Sequence, residues 1–328
     1  MQLRLSGKLC ALVLCAGATL ASLAEAAPSE LIHRPAARLE RPMAAGLLGV
    51  AHAGQRLVAV GDRGAVLLSD DGGATFRQAR SVPTRVTLTA VSFADERNGW
   101  AVGHWGVILC TTDGGETWTL QRDDTSVDQP LFSVWFSDAR NGVAAGLWSL
   151  ILRTADGGEH WDAVQPPAPP EGQRRSDRNL FQIFPGGSGE LWIAAERGGL
   201  LYSRDGGAHW SQVETGGKGS LWTGTALTNG TLLVAGLQGK VYRSADHGSS
   251  WQVVPVGTAS SITHMVQMPD GGVVAVGLNG AVLESHDDGR SFALTNRADQ
   301  APMTAVAQSR GARPVLFSAQ GVLGGTPQ

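Results

Sequence analysis

Cysteine is nearly missing from this sequence. The 328 residues include three, and Cys10 and Cys15 both lie within the first 26 positions. Once those are set aside Cys110 stands alone, so no internal disulfide holds the domain and its core must do so. Cys110 lies in an apolar run, Val107-Ile108-Leu109-Cys110, where a thiol is expected to be buried and inert. Tyrosine is scarcer still, at Tyr202 and Tyr242 only. Neither charge dominates: 26 basic and 29 acidic residues leave a net charge of -3, which gives no general attraction to nucleic acid or to an anionic membrane. Beyond residue 20 no apolar run approaches the ~20 residues that a spanning helix needs. There is no G-x-S-x-G elbow and no phosphate-binding glycine loop. Against these absences stand 44 glycines without any long stretch of helical periodicity, which points to many turns and an all-β fold.

The N-terminus reads as a secretory signal. Arg4 and Lys8 precede an apolar stretch from residue 9 to 20, and Ala24-Glu25-Ala26 forms an A-x-A site, so cleavage is expected before Ala27. Leu14 before Cys15 is too large for a lipoprotein signal. Residues 1–26 are thus a signal peptide and 27–328 one domain, exported to the periplasm and expected to be a monomer. Removing Arg4, Lys8 and Glu25 leaves 24 basic and 28 acidic residues, a net charge of -4.

One short pattern, Ser/Thr-x-Asp-x-Gly-x-x-Trp/Phe, occurs six times: SDDGGATF, TTDGGETW, TADGGEHW, SRDGGAHW, SADHGSSW and SHDDGRSF. Its aspartates are Asp71, Asp113, Asp156, Asp205, Asp246 and Asp287, spaced by 42, 43, 49, 41 and 41 residues. A period near 40–45 residues is the mark of propeller blades with four strands each. Around each turn the strands repeat, as in Thr89-Ala90-Val91-Ser92-Phe93, then Trp100-Ala101-Val102-Gly103, then the run ending at Cys110. A seventh, partial unit covers 303–307, 315–319 and 321–324. The prediction is a seven-bladed β-propeller of four-stranded antiparallel blades, with segment 31–39 supplying the strand that the last blade lacks. Closing a ring removes exposed sheet edges.

The turn explains itself chemically. A carboxylate in a tight turn accepts N–H bonds from the residues that follow, the glycines permit positive φ, and the closing ring buries apolar area between blades. All six aspartates are therefore structural. Calcium needs six to eight oxygens, which the turn does not offer. His160, His209, His247 and His286 sit in four different blades, too far apart to share a zinc ion. No metal and no cofactor is expected.

These turns, with the phrase Asn98-Gly99-Trp100-Ala101-Val102-Gly103-His104-Trp105-Gly106-Val107-Ile108 followed by TTDGGETW, resemble the photosystem II assembly/stability-factor-like family of Asp-box (BNR-repeat) propellers. The resemblance spans nearly all of the chain after residue 26. It implies a seven-bladed, non-enzymatic scaffold that binds a subunit of a membrane complex. Relatives in non-photosynthetic bacteria imply a second setting, as accessories to RND-type exporters. The alternative is a carbohydrate-active propeller, since sialidases and other glycosidases also carry Asp-boxes. A sialidase would need an arginine triad and a tyrosine nucleophile. Tyr202 and Tyr242 lie beside Asp-box turns, away from any central funnel.

A propeller of this class puts Asp-box turns and A–B turns on one face, and B–C turns and D–A connections on the other, where ligands usually bind. Read in order, the B–C tips are Asp62-Arg63, His104-Trp105, Leu147-Trp148, Glu196-Arg197, Leu237-Gln238, Leu278-Asn279 and Ala319-Gln320. Tips usually carry small polar residues, so Trp105, Leu147 and Trp148 on adjacent blades mark an expected protein-binding patch, with His104 beside them. The longest period contains the insertion 165–179, QPPAPPEGQRRSDRN, an extended proline-stiffened arm that carries Arg174, Arg175 and Arg178. Arg63, Arg85, Arg122 and Arg197 are expected to extend this positive region.

Overall fold

A computed structural model describes residues 28–168, 177–187, 189–309 and 313–323. The expected signal peptide and its expected cleavage site lie outside them. Seven antiparallel sheets follow one another along the chain. Blade one is Leu47–Ala53, Arg56–Gly61, Val66–Ser69 and Arg77–Gln78, here named strands A to D. Blade two is Leu88–Phe93, Gly99–Gly103, Ile108–Thr111 and Thr119–Arg122. Blades three to six begin at strands Leu131–Phe136, Leu180–Pro185, Leu221–Ala226 and Ile262–Gln267, each with four strands in sequential order. Blade seven is Met303–Ala307, Val315–Ser318 and Gly321–Leu323, three strands among the described residues.

Unbroken apolar runs become strands covered on both faces. Every residue of strand B is buried in blades two to six. Alternation does the sorting. In blade one, Val58 and Val60 pack into the groove shared with blade two, while Leu57 and Ala59 pack with blade seven. In blade two, Ala101 faces blade one, while Trp100 and Val102 face blade three. The core is thus a ring of inter-blade grooves rather than one central mass.

In blades one to six the Asp-box ring fills the groove before its blade. Phe76 lies between blades seven and one, Trp118 between one and two, and Trp161 between two and three. Trp210, Trp251 and Phe292 continue the series through the groove between blades five and six. The turn has the expected bonding. Asp71 Oδ1 accepts from Ser69 Oγ at 2.8 Å and from the Thr75 N–H at 2.9 Å, and its Oδ2 accepts from Thr75 Oγ1 at 2.6 Å. Gly73 N–H donates to Ser69 Oγ at 2.9 Å, and Gly73 sits at φ 95°. The other five aspartates repeat this, with His160 and His209 taking the hydroxyl's place at Asp156 and Asp205. These bonds hold Asp71, Asp246 and Asp287 at about 2, through the hydroxyls of Thr75, Ser250 and Ser291 first and the backbone N–H second.

The N-terminal segment does not complete blade seven. It forms a short helix, Pro28–Ile32, and then a strand-free strap across blade one. Ile32 is fully buried in the groove between blades one and two. Arg85 N–H donates to Leu31 O at 2.8 Å and Ala36 N–H to Val82 O at 3.0 Å. Gln78 clasps the strap from both sides, accepting from Leu39 N–H and donating to Ala37 O, each at 2.8 Å. Pro35 serves as an acceptor for Arg85 Nε at 2.8 Å instead of sitting in an edge strand. The buried Ile32 and the Gln78 clasp outweigh the pairing that an open edge offers. The ring closes through blade seven itself: Thr304 Oγ1 donates to Leu47 O at 2.6 Å, and Phe317 packs edge-on against Phe76 at 5.8 Å.

Candidate binding face

The B–C connections of blades one to six are six copies of one single-turn 3-10 element, from Asp62–Gly64 to Leu278–Gly280. The middle residue of each is left-handed: Arg63, Trp105, Trp148, Arg197, Gln238 and Asn279 have φ between 53° and 60°. Asparagine adopts this region readily and a bulky tryptophan does not. The third residue is a glycine of positive φ in five of the six tips, and Ser149 at φ 60° in blade three. Blade three therefore places two successive non-glycine residues in the left-handed region. Ser149 is held there by Arg178: its N–H donates to Arg178 O at 2.8 Å, and its Oγ accepts from the Arg178 N–H at 2.9 Å.

The D–A connections tie neighbouring tips together. Asp128 accepts from Trp105 N–H at 2.9 Å and lies 3.4 Å from His104 Nδ1. Its neighbours reach the next tip, where Gln129 Nε2 donates to Leu147 O and Leu147 N–H to Pro130 O, each at 2.9 Å. Asn179 then accepts from Trp148 N–H at 3.3 Å and donates to Glu196 Oε1 at 2.7 Å, which reaches the tip of blade four. Blades two, three and four thus share one connected rim.

Within that rim the expected patch divides. Trp148 is 52 % exposed, the most exposed aromatic residue described. Leu147 beside it is half-buried. Trp105 is also half-buried, packed on the groove between blades one and two, so it anchors its turn more than it presents itself. The arginines divide likewise. Arg122 donates to Gly106 O at 2.7 Å, and burial pushes its guanidinium pKa down, opposed by Asp124 and Asp123. Arg178 pairs with Glu214 at 3.1 Å, and Arg85 holds the N-terminal strap. These three serve the fold, whereas Arg63 and Arg197 are exposed at tips one and four. Arg174 and Arg175 lie outside the described residues. Sequence reasoning missed Asp128, Asn179 and Ser149. The signal for Ser149 was present: it replaces the glycine that follows the tip residue in the other five blades.

The central channel holds a cavity of about 350 Å³ lined by the A strands. The second residue of each A strand faces it: Leu48 in blade one, Thr89, Thr263 and Thr304 in blades two, six and seven, but Phe132, Phe181 and Trp222 in blades three, four and five. The threonines donate to carbonyls of the following A strand, as Thr89 Oγ1 does to Leu131 O and Thr263 Oγ1 to Met303 O at 2.8 Å. The rings form an arc instead, with Phe132 stacked on Phe181 at 5.9 Å and 17°. Among the described residues no arginine, aspartate or glutamate lines this cavity, so the catalytic set of a sialidase is not assembled there. Its titratable groups are His52 and His264. Burial lowers both pKa values, that of His264 to about 4, so His264 is neutral and accepts the Val306 N–H through Nδ1. Tyr202 bonds to Glu190 and Arg204 on strand C of blade four, and Tyr242 is buried on strand C of blade five. Cys110 is half-buried rather than fully buried, with Sγ 3.0 Å from Thr119 Oγ1. Asp156, Glu159 and His160 are the one group of possible metal ligands found among the described residues. Asp156 and His160 are already paired within an Asp-box at 2.8 Å.

Seven blades joined by Asp-box turns define the class of BNR-repeat β-propellers. The model of the family Photosynthesis system II assembly factor YCF48 matches residues 78–165 and 121–298, and the chain belongs to that family. Among solved structures, one of YCF48 bound to D1 peptide is 20% identical, with a TM-score of 0.69, covering 87% of this chain and 94% of that one. YCF48 from Cyanidioschyzon merolae is 18% identical, with a TM-score of 0.67, covering 87% of this chain and 97% of that one. A streptogramin B lyase is 12% identical, with a TM-score of 0.70 and coverage of 87% and 94%. At these identities the likeness shows the fold alone, and the lyase illustrates that the fold does not fix the chemistry. No curated protein matches the chain. Among the described residues no helix is long and apolar enough to cross a membrane.

Proposed function

We propose that this protein is a non-enzymatic assembly or accessory factor, exported to the periplasm, whose B–C face binds a protein subunit of a membrane complex. The observation that carries the reading is Trp148. A tryptophan in a left-handed turn, braced by Pro130, Asn179 and Arg178, costs backbone strain and yet leaves half of its ring in solvent, so it serves an external contact. Family membership and the peptide bound to a relative support the same reading. A photosystem subunit or an RND-type exporter component are the two partners that the resemblance suggests. Rim cations Arg63 and Arg197 add salt-sensitive attraction. The test is affinity purification of the tagged protein from membranes. Trp148→Ala is expected to lower partner recovery by an order of magnitude or more without changing the melting temperature, whereas Trp105→Ala lowers the melting temperature. Unchanged recovery with Trp148→Ala refutes the assignment of the face. N-terminal sequencing of protein from an osmotic-shock fraction tests export, with Ala27 the expected first residue and residue 1 in the membrane pellet the refuting one.

A further inference from the structure

Hydrogen bonds tie neighbouring A strands together around the channel. At the B–C end, where each A strand starts, a threonine at the second position bonds to the first carbonyl of the next blade: Thr89 to Leu131 O, Thr263 to Met303 O and Thr304 to Leu47 O. One residue further in, the side chain at the third position accepts the fourth N–H of the next A strand. Ser133 Oγ takes it from Ile183 at 3.0 Å, Gln182 Oε1 from Gly224 at 2.9 Å and His264 Nδ1 from Val306 at 3.3 Å. The polar side chains of both levels are thus bonded within the wall itself. The outer level is broken in blades three, four and five. Phe132, Phe181 and Trp222 stand where the threonines would, so among the described residues no hydroxyl reaches the carbonyls of Leu180, Leu221 and Ile262. Blade five also breaks the inner level: Thr223 is fully buried, and its hydroxyl has no partner among the described residues.

Where the wall lacks these bonds it presents a continuous apolar surface. Phe132 stacks on Phe181, and Trp222 meets Phe181 edge to face at 6.4 Å and 62°. All three rings are half-buried, so each keeps part of its surface in the channel cavity. The arc is joined to the exposed tip of blade three. Pro130 and Asn179, which bond to the N–H groups of Leu147 and Trp148, precede Phe132 and Phe181 by two residues each. Trp148 and the channel mouth therefore belong to one surface. Among the described residues the cavity has no cation or carboxylate in its lining, so a charged occupant would lose its water without a partner. A sugar would need free polar side chains, and those of the wall are already bonded. Residues 169–176, between blades three and four, have no aromatic or branched aliphatic side chain with which to complement the rings.

We infer that the channel mouth along blades three to five is an anchor seat, which takes one bulky, uncharged apolar side chain from the segment of the protein partner that lies across Trp148. The inference rests on the B–C face being the partner-binding one. An apolar anchor buried in a preformed, ring-lined pocket is the usual centre of a protein interface, and the carbonyls left without a threonine are offered to the N–H groups of the segment's backbone.

The probes are the peptide Ac-Gly-Ser-Phe-Ser-Gly-NH2, its Leu, Ala, Glu and Lys counterparts, and cellobiose, titrated by NMR into the chain from Ala27 on, which contains every described residue. The Phe and Leu peptides are expected to bind at least tenfold more tightly than the other three, and cellobiose is expected not to saturate. Phe181→Thr and Trp222→Thr give blades four and five the residue that blades two, six and seven already have at this position, and Trp222→Thr also keeps the Phe132–Phe181 stack. Each is expected to weaken the Phe peptide at least tenfold at an unchanged melting temperature. Equal binding of the five peptides, an affinity that survives both variants, saturation by cellobiose, or no saturation by any peptide at millimolar concentration each overturns the assignment. Binding that appears only after residues 169–176 are deleted gives the seat to this chain's own arm and overturns it too. The short peptides fill the seat alone, so Trp148→Ala is expected to leave their affinities unchanged while it lowers partner recovery. Failure of the seat and failure of the B–C face therefore show in different measurements.

Discussion

Ile32→Ala tests the strap across blade one. The side chain is fully buried among Val82, Val86, Leu88 and their neighbours in the groove between blades one and two. Truncating a buried isoleucine removes three methyl or methylene groups and leaves a cavity, at a cost of about 2–4 kcal/mol in a core that relaxes only in part. Leu88 opens an A strand, and the D–A connection that carries Val82 and Val86 is pinned by the bonds of Val82 O and Arg85 N–H to the strap, so little collapse is expected. At roughly 2 °C per kcal/mol for a chain of this size, the melting temperature is expected to fall by about 4–8 °C. The assay is thermal and urea denaturation of the signal-free protein, beside Arg85→Ala. Arg85→Ala removes the Pro35 contact but no core volume and is expected to cost less, about 1 kcal/mol. An unchanged melting temperature for Ile32→Ala would show that residues 28–39 are not docked on blade one, and the account of how the N-terminus is held would fall.

Asp113→Ala orphans the Thr111 and Thr117 hydroxyls and the Thr117 N–H, and is expected to cost about 2–3 kcal/mol, visible in urea midpoints; an effect within error would mean that the turn's sequence is not its support. The Asp-box carboxylates also set an acid limit. Their folded pKa values lie below the unfolded value near 3.9, so their contribution is complete above about pH 4 and is lost as pH falls toward 2. Melting temperature against pH is expected to drop steeply in that window, and a flat profile from pH 4 to 2 refutes the linkage.

The blade repeat was legible because one turn needs the same few atoms each time: a hydroxyl, a carboxylate, a glycine and a ring. Six copies gave the count, the strand order and the two faces. What escaped was decided by competition between distant pieces. Segment 31–39 and the open edge of blade seven looked complementary, but the buried groove at Ile32 and the two bonds to Gln78 lie 39 to 53 residues away, beyond any local pattern. Arg85, Arg122 and Arg178 looked like a cationic surface, but carbonyls and Glu214 within the fold take their donors. Trp105 and Trp148 occupy equivalent positions in sequence, yet Trp105 packs against a core cluster while Trp148 stays exposed, a difference that only the tertiary contacts reveal.

The bond from Thr304 to Leu47 joins residues 257 positions apart. Bringing such ends together costs about 5 kcal/mol of chain entropy before any contact repays it. Successive blades nucleate on contacts between close neighbours in sequence, so the ring should grow stepwise and the seam between blades seven and one should form last. Among the described residues, no strand from the other end of the chain is woven across that seam. It is therefore the weakest link in kinetic terms, the place where hydrogen exchange should report opening first and from which unfolding should spread around the ring.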